Sequence, residues 1–572
     1  MKIAITGIGI ISAIGNNKAE TLNSLLAEKS GIGTMQFLHS IHTDLPVGEV
    51  KLSNDELRNK LNIHSSEAIS RTSLLGLSAA QEALKHAKIE DVTDMAFISG
   101  TTVGGMDTTE CYWEDWKNGN KTEYIAQHEA GASTEKIAEH IGKFAYLTTP
   151  STACSSALNA IMTGANMLRT GKVGKALVGG SECLSKFHLN GFNTLMILDH
   201  ELCRPFDSTR AGLNLGEGAA YLVIEPEDEA LKRGAEILGY VAGYGNACDA
   251  YHQTASSDNG EGALLAMSKA LQMAQIHPSQ VDYLNAHGTG TPNNDASESA
   301  AIIRLFGEHL PLVSSTKSLT GHTTSASGSI ETVICLLCMQ NGFAPANVNW
   351  QHVDEHTISP LVHNTETPLY YVLCNSFGFG GNNSSLVLAK NSPVELELGN
   401  SDVKIHKSEI ILNADYKQFI SPVEARRMTP QIRQTLAVAL KAISDSQINP
   451  EAIVCATEYG CMANSVMFLD DMLNSNESEL KPTLFIQSTH NTMASMVAIK
   501  QQNHGYNITY SHKNTSWEDA ILDVSMQIQL GMLKSALVIE FDEYVEKWDD
   551  MLQTISLASK GVAKAQIISL QE

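Results

Sequence analysis

The chain has 572 residues, of which 43% are hydrophobic and 18% are charged, so it is long enough for a large core and more than one domain. A formal net charge of -24 argues against general nucleic-acid binding, because an acidic surface repels a phosphate backbone. Ten cysteines without paired spacing favour free thiols in a cytoplasm over a disulfide framework or a zinc site. We expect no signal peptide and no transmembrane helix, because neither the opening residues nor any later apolar run has the required pattern.

Strand-like and helix-like segments alternate along residues 1–390. Apolar runs with little polar alternation, typical of strands buried on both faces, lie at residues 2–10, 94–105, 175–182, 219–226, 281–290, 311–318 and 384–390. Helical apolar spacing occurs at residues 73–87, 261–275 and 330–342. The alternation predicts an α/β protein whose helices cover its sheets. Residues 391–408 contain turn formers and charges, and we interpret them as a linker.

Cys154 lies among small residues in "PSTACSSALNA", just before a helical pattern that is carried by Ile161, Ala165 and Leu168. Oriented N–H groups and the positive end of a helix dipole would favour a thiolate at this position. Free cysteines are, however, commonly small buried side chains. This stretch alone therefore leaves both interpretations open, and partners elsewhere in the chain must decide between them.

Two histidines and a glycine-rich loop follow further along the chain. His287 lies in "NAHGTGTPNND" at the end of a strand-like run, where loops commonly carry function, and His322 lies in "STKSLTGHTTSASG". Neither histidine belongs to a metal-binding motif, and either one alone is more commonly structural or exposed. The loop "NSFGFGG" lacks the Lys-Ser/Thr pair of a phosphate loop, so by itself it predicts a turn between two strands.

Together these segments resemble, in the same order, the active-site motifs of the β-ketoacyl-acyl-carrier-protein synthases of the thiolase superfamily. The resemblance is carried by "TACSSA", by "AHGTGT" with a following Asp and Glu, by "KSLTGH" and by "NSFGFGG". The segments "ITGIGIISAIGN", "GTTVGG" and "RPFDSTRAGLNLGEGAA" also match, so the resemblance covers roughly residues 1–390. It implies a thiolase-like layered αβαβα fold. Asn285, Asn382 and "SASG" at residues 325–328 depart from the family's pattern, which affects substrate preference more than chemistry.

The resemblance implies a decarboxylative Claisen condensation. Cys154 would accept an acyl chain as a thioester from acyl carrier protein, and a malonyl carrier would lose carbon dioxide to give the attacking carbanion. A thioester suits a soft nucleophile with a lowered pKa. His287 and His322 would donate N–H groups to the developing enolate, and the backbone N–H groups of Cys154 and Phe379 would form the oxyanion hole.

Four further residues match family positions around this centre. Lys317 matches the lysine that organises the site, and Glu331 matches its usual carboxylate partner. Thr289 and Thr291 match residues that bind the phosphopantetheine arm of the carrier, while the ring of Phe379 matches an aromatic gate over the cysteine. The resemblance requires no metal, no nucleotide and no cofactor other than the 4'-phosphopantetheine that the carrier protein delivers.

Two related enzyme classes fit the motifs less well. A thiolase shares the fold but normally uses a second cysteine as acid and base, whereas His322 occupies that motif here. A priming ketosynthase that uses free acyl-CoA would normally carry Asn in place of one histidine, and "AHGTGT" argues against it.

Residues 409–572 contain a repeat of the N-terminal sequence. "RRMTPQIRQTLAVALKAI" parallels "SRTSLLGLSAAQEALKHA", "ATEYGCM" parallels "GTTVGGM", and "GMLKSALVIEFDE" parallels "GKVGKALVGGSEC". Alignment of Ala536 on Ala176 gives an offset of 536 minus 176, or 360, which places Asn514 at the position of Cys154. The segment resembles the N-terminal half of a second ketosynthase without its nucleophile.

The stretch "FIQSTHNTMASMVA" at residues 485–498 further resembles the chain-length-factor proteins of bacterial aryl polyene and flexirubin-type pathways. We therefore predict that the C-terminal module shapes the acyl tunnel, with Gly460, Cys461 and Met462 lining or closing it. A diverged extension of the fold stays an alternative.

The sequence thus predicts a condensing acyltransferase that elongates acyl chains on acyl carrier protein, in polyene rather than housekeeping fatty-acid synthesis. A carrier-docking scaffold without condensing activity is the alternative from another class, and the intact Cys154, His287 and His322 argue against it. We expect a cytoplasmic homodimer or an intrachain pseudo-dimer. The predicted divisions are two ketosynthase halves at 1–250 and 251–390, the linker at 391–408, and the C-terminal module at 409–572.

Overall fold

A computed structural model describes residues 1–395, 399, 403–546, 548 and 561–571. Residues 396–398 and 400–402 of the predicted linker lie outside the described residues. No helix in the described part of the chain combines the length and the apolar character needed to cross a membrane.

The first 390 residues form one ten-stranded sheet with helices on both sides. Its strands, with the two-stranded ribbon β9–β10, are β1 (Ile3–Ser12), β2 (Met95–Gly100), β3 (Tyr146–Thr148), β4 (Lys175–Glu182), β5 (Gly218–Pro226), β6 (Gly239–Cys248), β7 (Tyr283–Asn285), β8 (Leu312–Ser314), β9 (Phe343–Ala344), β10 (Thr365–Glu366), β11 (Tyr371–Gly378) and β12 (Asn382–Ala389). The helices are α1 (Lys18–Leu26), α2 (Asn54–Leu61), α3 (Arg71–Ala87), α4 (Met106–Lys117), α5 (Thr122–Ile125), α6 (Ala130–Ile141), α7 (Ser156–Arg169), α8 (Lys186–Thr194), α9 (Glu227–Lys232), α10 (Glu261–Ala274), α11 (Pro292–Phe306), α12 (Lys317–Thr320) and α13 (Ser327–Asn341).

The sheet consists of two halves in the order β3-β2-β4-β5-β1 and β6-β12-β11-β7-β8. They join only where Ile3–Ile5 of β1 pairs with Gly239–Val241 of β6. Helix α3 packs on β1 and β5, α10 packs on β6 and β12, and α7 and α13 lie between the two halves. These five layers confirm the predicted thiolase-like αβαβα fold. Strand β6 precedes the division predicted at residue 250, yet it pairs within the second half-sheet.

The central helices are buried nearly all round, because they face a sheet on each side. In α7 every residue from Ser156 to Leu168 is buried, and in α13 every residue from Ser327 to Met339 is buried. Small residues allow this close packing: a Cβ on Gly164 would lie 2.4 Å from a methyl group of Val178 on β4. The start of α7, which follows Cys154, is thereby held deep in the molecule.

The C-terminal module repeats the first half-sheet. Its elements are β13 (Ile405–Lys407), α14 (Pro422–Ala425), α15 (Pro430–Ser446), β14 (Ala452–Thr457), α16 (Met462–Asn474), α17 (Pro482–Ile486), α18 (Thr492–Gln501), β15 (Tyr506–Ser511), α19 (Ser516–Gln529), β16 (Ser535–Asp542) and β17 (Val562–Leu570). The strand order β13-β17-β16-β14-β15 reproduces β1-β5-β4-β2-β3, with the same parallel and antiparallel pairs. The repeat is therefore structural. Strand β13 falls within the predicted linker, whose last residues belong to this sheet.

The two modules meet edge to edge within one chain. The N–H of Ser151 donates to the carbonyl of Thr509 at 2.8 Å, and the N–H of Ser511 donates to the carbonyl of Thr149 at 2.9 Å. This antiparallel contact places β15 beside the residues that lead from β3 into the Cys154 turn. The C-terminal module thus contacts the segment that leads to Cys154.

Candidate active site

Cys154 lies at a sharp turn between β3 and α7. Ala153 adopts φ of 52°, in the left-handed region, which turns the chain so that Cys154 directly precedes the helix. The Oγ of Ser156 accepts from the N–H of Thr152 at 2.9 Å and donates to the carbonyl of Ala153 at 2.7 Å, which closes the turn. Cys154 is only 5% exposed.

The structure brings Cys154, His287 and His322 together from three distant parts of the chain. The Sγ atom of the cysteine and one ring nitrogen of each histidine all lie within 4.8 Å of one another. The Sγ of Cys154 lies 3.1 Å from Nε2 of His322, and the two imidazole rings lie 5.2 Å apart. Such spacing allows proton exchange between the thiol and an imidazole. It would also fit a metal ion, which the sequence does not predict.

Each histidine is fixed by a different local structure. His322 follows α12, where its N–H donates to the carbonyl of Asn214 at 2.7 Å and its Nδ1 lies 3.1 Å from Oγ of Ser327. His287 follows β7, and its backbone N–H donates to Oε1 of Glu298 at 2.9 Å. Its Nδ1 is buried without a hydrogen-bond partner in the described structure. That nitrogen is available to a bound ligand.

The predicted lowering of the pKa of Cys154 is wrong. Burial raises the pKa of this thiol to about 12, although the nearby Lys317 ammonium and the N–H groups of Phe379 and Cys154 act in the opposite direction. The helix terminus favours the thiolate, but removal of the sulfur from water is the larger effect. At neutral pH Cys154 is therefore a thiol, and its proton must be transferred when it reacts.

Lys317 and Glu331 form a buried ion pair, as the resemblance implied. Burial raises the pKa of Glu331 to about 7, against the lowering effect of Lys317. Burial and the charge of Lys317 also hold the pKa values of His287 and His322 well below their usual range. Both histidines are consequently neutral, and each can donate one N–H and accept at its other ring nitrogen.

The glycine-rich loop joins β11 to β12 beside the cysteine, as its sequence predicts. Gly380 and Gly381 have φ of 82° and 74°, and the Oγ of Ser376 donates to the carbonyl of Cys154 at 2.8 Å. The ring of Phe379 stacks on that of Phe192 at 5.6 Å. Both Phe379 and Cys154 present backbone N–H groups to the sulfur, which is the arrangement required of an oxyanion hole.

Two cavities meet at Cys154. The first holds His287, His322, Thr289 and Thr291 on its wall, and the hydroxyl groups of the two threonines lie 2.9 Å apart. The first cavity therefore contains both threonines that were predicted to bind the phosphopantetheine arm.

The second cavity extends between the two modules. The ketosynthase side contributes Cys154, Phe187 and Phe192, and the C-terminal module contributes residues such as Tyr459, Ser465 and His490. None of the three residues predicted to line it is on its wall: Met462 packs in the adjoining apolar cluster, Cys461 in the cluster around α15 and β14, and Gly460 against the imidazole of His490. The wall is instead built by neighbours of that turn, such as Tyr459 and Ser465.

A buried cluster of asparagines near the site was not predicted as functional. Asn382 Oδ1 accepts from Ser155 Oγ at 2.7 Å, from Asn159 at 3.1 Å and from Asn246 at 3.1 Å. Its amide donates to the carbonyl of Asn507 in the C-terminal module at 2.5 Å. The departure of Asn382 from the family's pattern was the available sequence signal.

The turn of the C-terminal module that is equivalent to the Cys154 turn has the same backbone geometry but lacks a nucleophile. Lys513 adopts φ of 47°, as Ala153 does at the equivalent position, and His512 bridges to Asn514 as Thr152 bridges to Cys154. Asn514 is exposed, however, whereas Cys154 is buried.

The layered fold, the turn at Cys154 and the buried centre of one cysteine and two histidines together define a condensing acyltransferase of the thiolase type. Profiles described as "Beta-ketoacyl synthase, N-terminal domain" and "Beta-ketoacyl synthase, C-terminal domain" match residues 1–230 and 238–351, and a second N-terminal profile matches residues 405–570. The 3-oxoacyl-[acyl-carrier-protein] synthase 2 of Vibrio harveyi is 32% identical over 413 residues, which cover 68% of this chain and 98% of that protein. This chain belongs to the β-ketoacyl synthase family.

Two solved structures add to the comparison, and one of them extends it to the C-terminal module. "The ishigamide ketosynthase/chain length factor" is 29% identical, with a TM-score of 0.65, and covers 68% of this chain and 99% of that chain. "PfaC Keto synthase-Chain length factor" is 16% identical, with a TM-score of 0.80, and covers 100% of this chain and 78% of that chain. The second likeness is one of fold, and it includes both modules.

Proposed function

We propose that the chain is an elongating β-ketoacyl-acyl-carrier-protein synthase that condenses an acyl group on Cys154 with a malonyl thioester in the cytoplasm. The 3.1 Å contact between Cys154 Sγ and His322 Nε2, with His287 beside it, carries this proposal. Similarity to an enzyme whose name states acyl carrier protein supports that protein as the donor. The phosphopantetheine arm belongs to the carrier protein, and the reaction uses no separate cofactor.

Acyl transfer begins with the neutral thiol. Nε2 of His322 accepts the thiol proton as the sulfur of Cys154 attacks the thioester carbonyl, so no standing thiolate is needed. The resulting oxyanion lies against the N–H groups of Cys154 and Phe379. When it collapses, the carbon–sulfur bond to pantetheine breaks, and the pantetheine sulfur takes the proton from His322.

Condensation uses the same histidines as donors. The malonyl thioester loses carbon dioxide, and the electron pair of the broken bond forms an enolate whose oxygen accepts from N–H groups of His287 and His322. In this step His322 is in the tautomer that carries its proton on Nε2, while Nδ1 accepts from Oγ of Ser327. The enolate carbon attacks the acyl carbonyl on Cys154, and collapse of that intermediate breaks the bond from the acyl carbon to sulfur. The β-ketoacyl thioester leaves on the carrier, and the expelled Cys154 thiolate takes a proton from water, which restores the thiol. Lys317 and Glu331 organise the charge around the histidines, while Thr289 and Thr291 hold the pantetheine arm.

The C-terminal module serves as a chain-length factor in this proposal, and the pathway is one of polyene synthesis of the aryl polyene or flexirubin type. The stretch whose sequence resembles such factors supplies Phe485, Ser488, Thr489 and His490 to the second cavity. Housekeeping elongation is the second candidate, and it is favoured by the identity of 32% to a 3-oxoacyl-[acyl-carrier-protein] synthase 2.

The test is to incubate the full chain with acyl and malonyl carrier proteins and to weigh the protein and the carrier-bound products. We expect an acyl adduct on the chain that is absent from Cys154→Ala, and a carrier product longer by one two-carbon unit. The assay includes a chelator, because a metal requirement would contradict the mechanism above. Conjugated polyenoyl and saturated acyl carriers of equal length then separate the two pathways: preference for the saturated chain would reject polyene synthesis and leave the condensing activity standing.

A further inference from the structure

His322 performs two tasks in the proposed reaction, and each task requires its proton on a different ring nitrogen. In acyl transfer Nε2 accepts the thiol proton of Cys154, whose Sγ lies 3.1 Å away, so the neutral ring must carry its own proton on Nδ1. In condensation Nε2 donates to the enolate oxygen, so Nδ1 carries no proton and is an acceptor. The group that contacts Nδ1 must accept a hydrogen bond in the first half-reaction and donate one in the second.

The hydroxyl of Ser327, at the start of α13, is the group that contacts Nδ1 of His322. Its Oγ lies 3.1 Å from Nδ1 and 3.3 Å from Oγ1 of Thr323, and all three side chains are buried. Among the described residues neither hydroxyl makes a further hydrogen bond. In the same helix, by contrast, the Oγ of Ser329 donates to the carbonyl of Ala326 at 3.2 Å. The proton of the Ser327 hydroxyl is not committed to the backbone, so this hydroxyl can rotate between its two neighbours.

The two hydroxyl groups can satisfy Nδ1 of His322 in either of two directions. When Nδ1 carries the proton, it donates to Ser327, and the Ser327 hydroxyl donates to Thr323. When Nδ1 carries no proton, the Thr323 hydroxyl donates to Ser327, and the Ser327 hydroxyl donates to Nδ1. The two arrangements differ only in the rotation of two hydroxyl groups, so no heavy atom has to move between the half-reactions.

The first arrangement matters most while His322 carries a charge. Burial and the charge of Lys317 hold the pKa of His322 well below its usual range, so the imidazolium that forms when Nε2 takes the thiol proton is costly. An N–H group of a charged ring makes a stronger hydrogen bond than an N–H group of a neutral ring. The acceptor at Ser327 should accordingly stabilise acyl transfer more than condensation, in which the ring stays neutral.

We propose that Ser327 is a positioning residue whose hydroxyl accepts from Nδ1 of His322 during acyl transfer and donates to Nδ1 during condensation, with Thr323 as its partner. No proton passes to either hydroxyl, because only the direction of their hydrogen bonds changes. Ser327 lies within residues 325–328, where the sequence departs from the family's pattern, so this departure concerns the chemistry at His322 as well as substrate preference. The inference rests on the proposed function, because it concerns the histidine that serves both half-reactions.

The test measures the two half-reactions separately in single turnovers of the full chain. Rapid-quench intact mass follows loading of Cys154 from an acyl carrier protein, and then conversion of the preloaded chain after malonyl carrier protein is added. Ser327→Ala should slow loading about tenfold, because the charged ring loses its acceptor, and should change condensation by less than about threefold. The matched control is Ser329→Ala, which removes a buried hydroxyl from the same helix and should leave both rates within about twofold of wild type.

Both rates are measured on the same preparation, so a partly unfolded variant does not alter their ratio. Equal slowing of the two steps in Ser327→Ala would show that the change only displaces the ring, and a loading rate equal to that of Ser329→Ala would show that the contact has no role. Either result would overturn the proposal, while loading and condensation by the wild-type chain would uphold the proposed function. A wild-type chain that loads no acyl group would reject both.

Discussion

Asn382 and Asn507 connect the two modules through a hydrogen bond of 2.5 Å from the side-chain amide of the first to the backbone carbonyl of the second. The other end of the Asn382 side chain accepts from Ser155, the residue that follows Cys154. The C-terminal module therefore supports the nucleophile turn through this buried side chain, in addition to the strand contact at Ser151. This support is separate from the module's contribution to the cavity.

Asn382→Ala should lower both stability and activity. The change removes the acceptor that Ser155, Asn159 and Asn246 share, although each keeps another hydrogen-bond partner, and the loss of one hydrogen bond costs about 0.5–1.5 kcal/mol. We expect a lower melting temperature and a lower rate of acyl loading, measured by differential scanning calorimetry and intact mass. Asn59→Ala, at an exposed asparagine on α2 outside this cluster and outside both cavities, is the control. A melting temperature equal to that of the control would contradict the supporting role.

His287 and His322 should differ in the step that they control. Both His287→Ala and His322→Ala should reduce condensation by at least about a hundredfold, because each removes a donor to developing charge. His322→Ala should also slow acyl loading, since Nε2 of His322 is the group within reach of the thiol, whereas His287→Ala should still form acyl-Cys154. Rapid-quench mass measurements separate the two steps. Near-normal condensation in both variants would reject the assignment.

The pH dependence of alkylation should reflect the burial of Cys154. The pKa of Cys154 is raised to about 12, so its thiolate fraction should keep increasing up to that pH. An ordinary cysteine has a pKa of about 8.5, and its thiolate fraction levels off not far above that pH. We expect the rate of iodoacetamide labelling at Cys154, located by peptide mass, to keep rising above pH 9. A plateau near pH 8 would show that the positive groups outweigh burial.

The C-terminal module should set product length through bulk in the second cavity. Ser488→Trp adds a large ring to the wall and should shorten the carrier-bound products. Gly460→Ala should act indirectly, because its new Cβ would lie 2.8 Å from Cδ2 of His490 and the glycine has φ of 69°. An unchanged product distribution in Ser488→Trp at an unchanged rate would contradict the chain-length role.

The duplicated turn should not be made reactive by a thiol alone. In Cys154→Ala/Asn514→Cys the new cysteine has the same left-handed residue before it, yet it is exposed and no histidine pair equivalent to His287 and His322 exists among the described residues of its module. We therefore expect no acyl adduct by intact mass. Acyl loading of the introduced thiol would show that the turn geometry is sufficient.

The sequence predicted the elements that local patterns specify. The pattern at residues 175–182 predicted strand β4 with the same bounds, and the helical spacing at 261–275 and 330–342 predicted α10 and α13 to within a few residues. Strand β6 was not predicted, because "GYVAGYGNAC" is rich in glycine, and β11 was predicted only as a strand before the glycine-rich turn, without bounds, because "YVLCNSFG" runs into that loop. Their strand structure is imposed by the neighbours with which they pair.

The centre was predicted from ordered motifs, but its electrostatics depended on three-dimensional burial. The helix start suggested a thiolate at Cys154, and only the layers around α7 show how completely the sulfur is removed from water. Likewise, His490 lies in a stretch that the sequence singled out, but its contact with Ser151 had no signal, because the two residues lie 339 residues apart in the sequence. Contacts between modules are set by packing, which a single sequence does not display.

The strand contact between Ser151 and Thr509 also has a consequence for assembly in solution. When two such modules are separate polypeptides, the fraction that is paired falls on dilution and depends on the ratio in which they are synthesised. Here a covalent connection makes the pairing unimolecular, so the effective concentration of one module at the other is constant. Specific activity per chain should accordingly be independent of enzyme concentration down to the nanomolar range, with equal stoichiometry guaranteed by translation of one message.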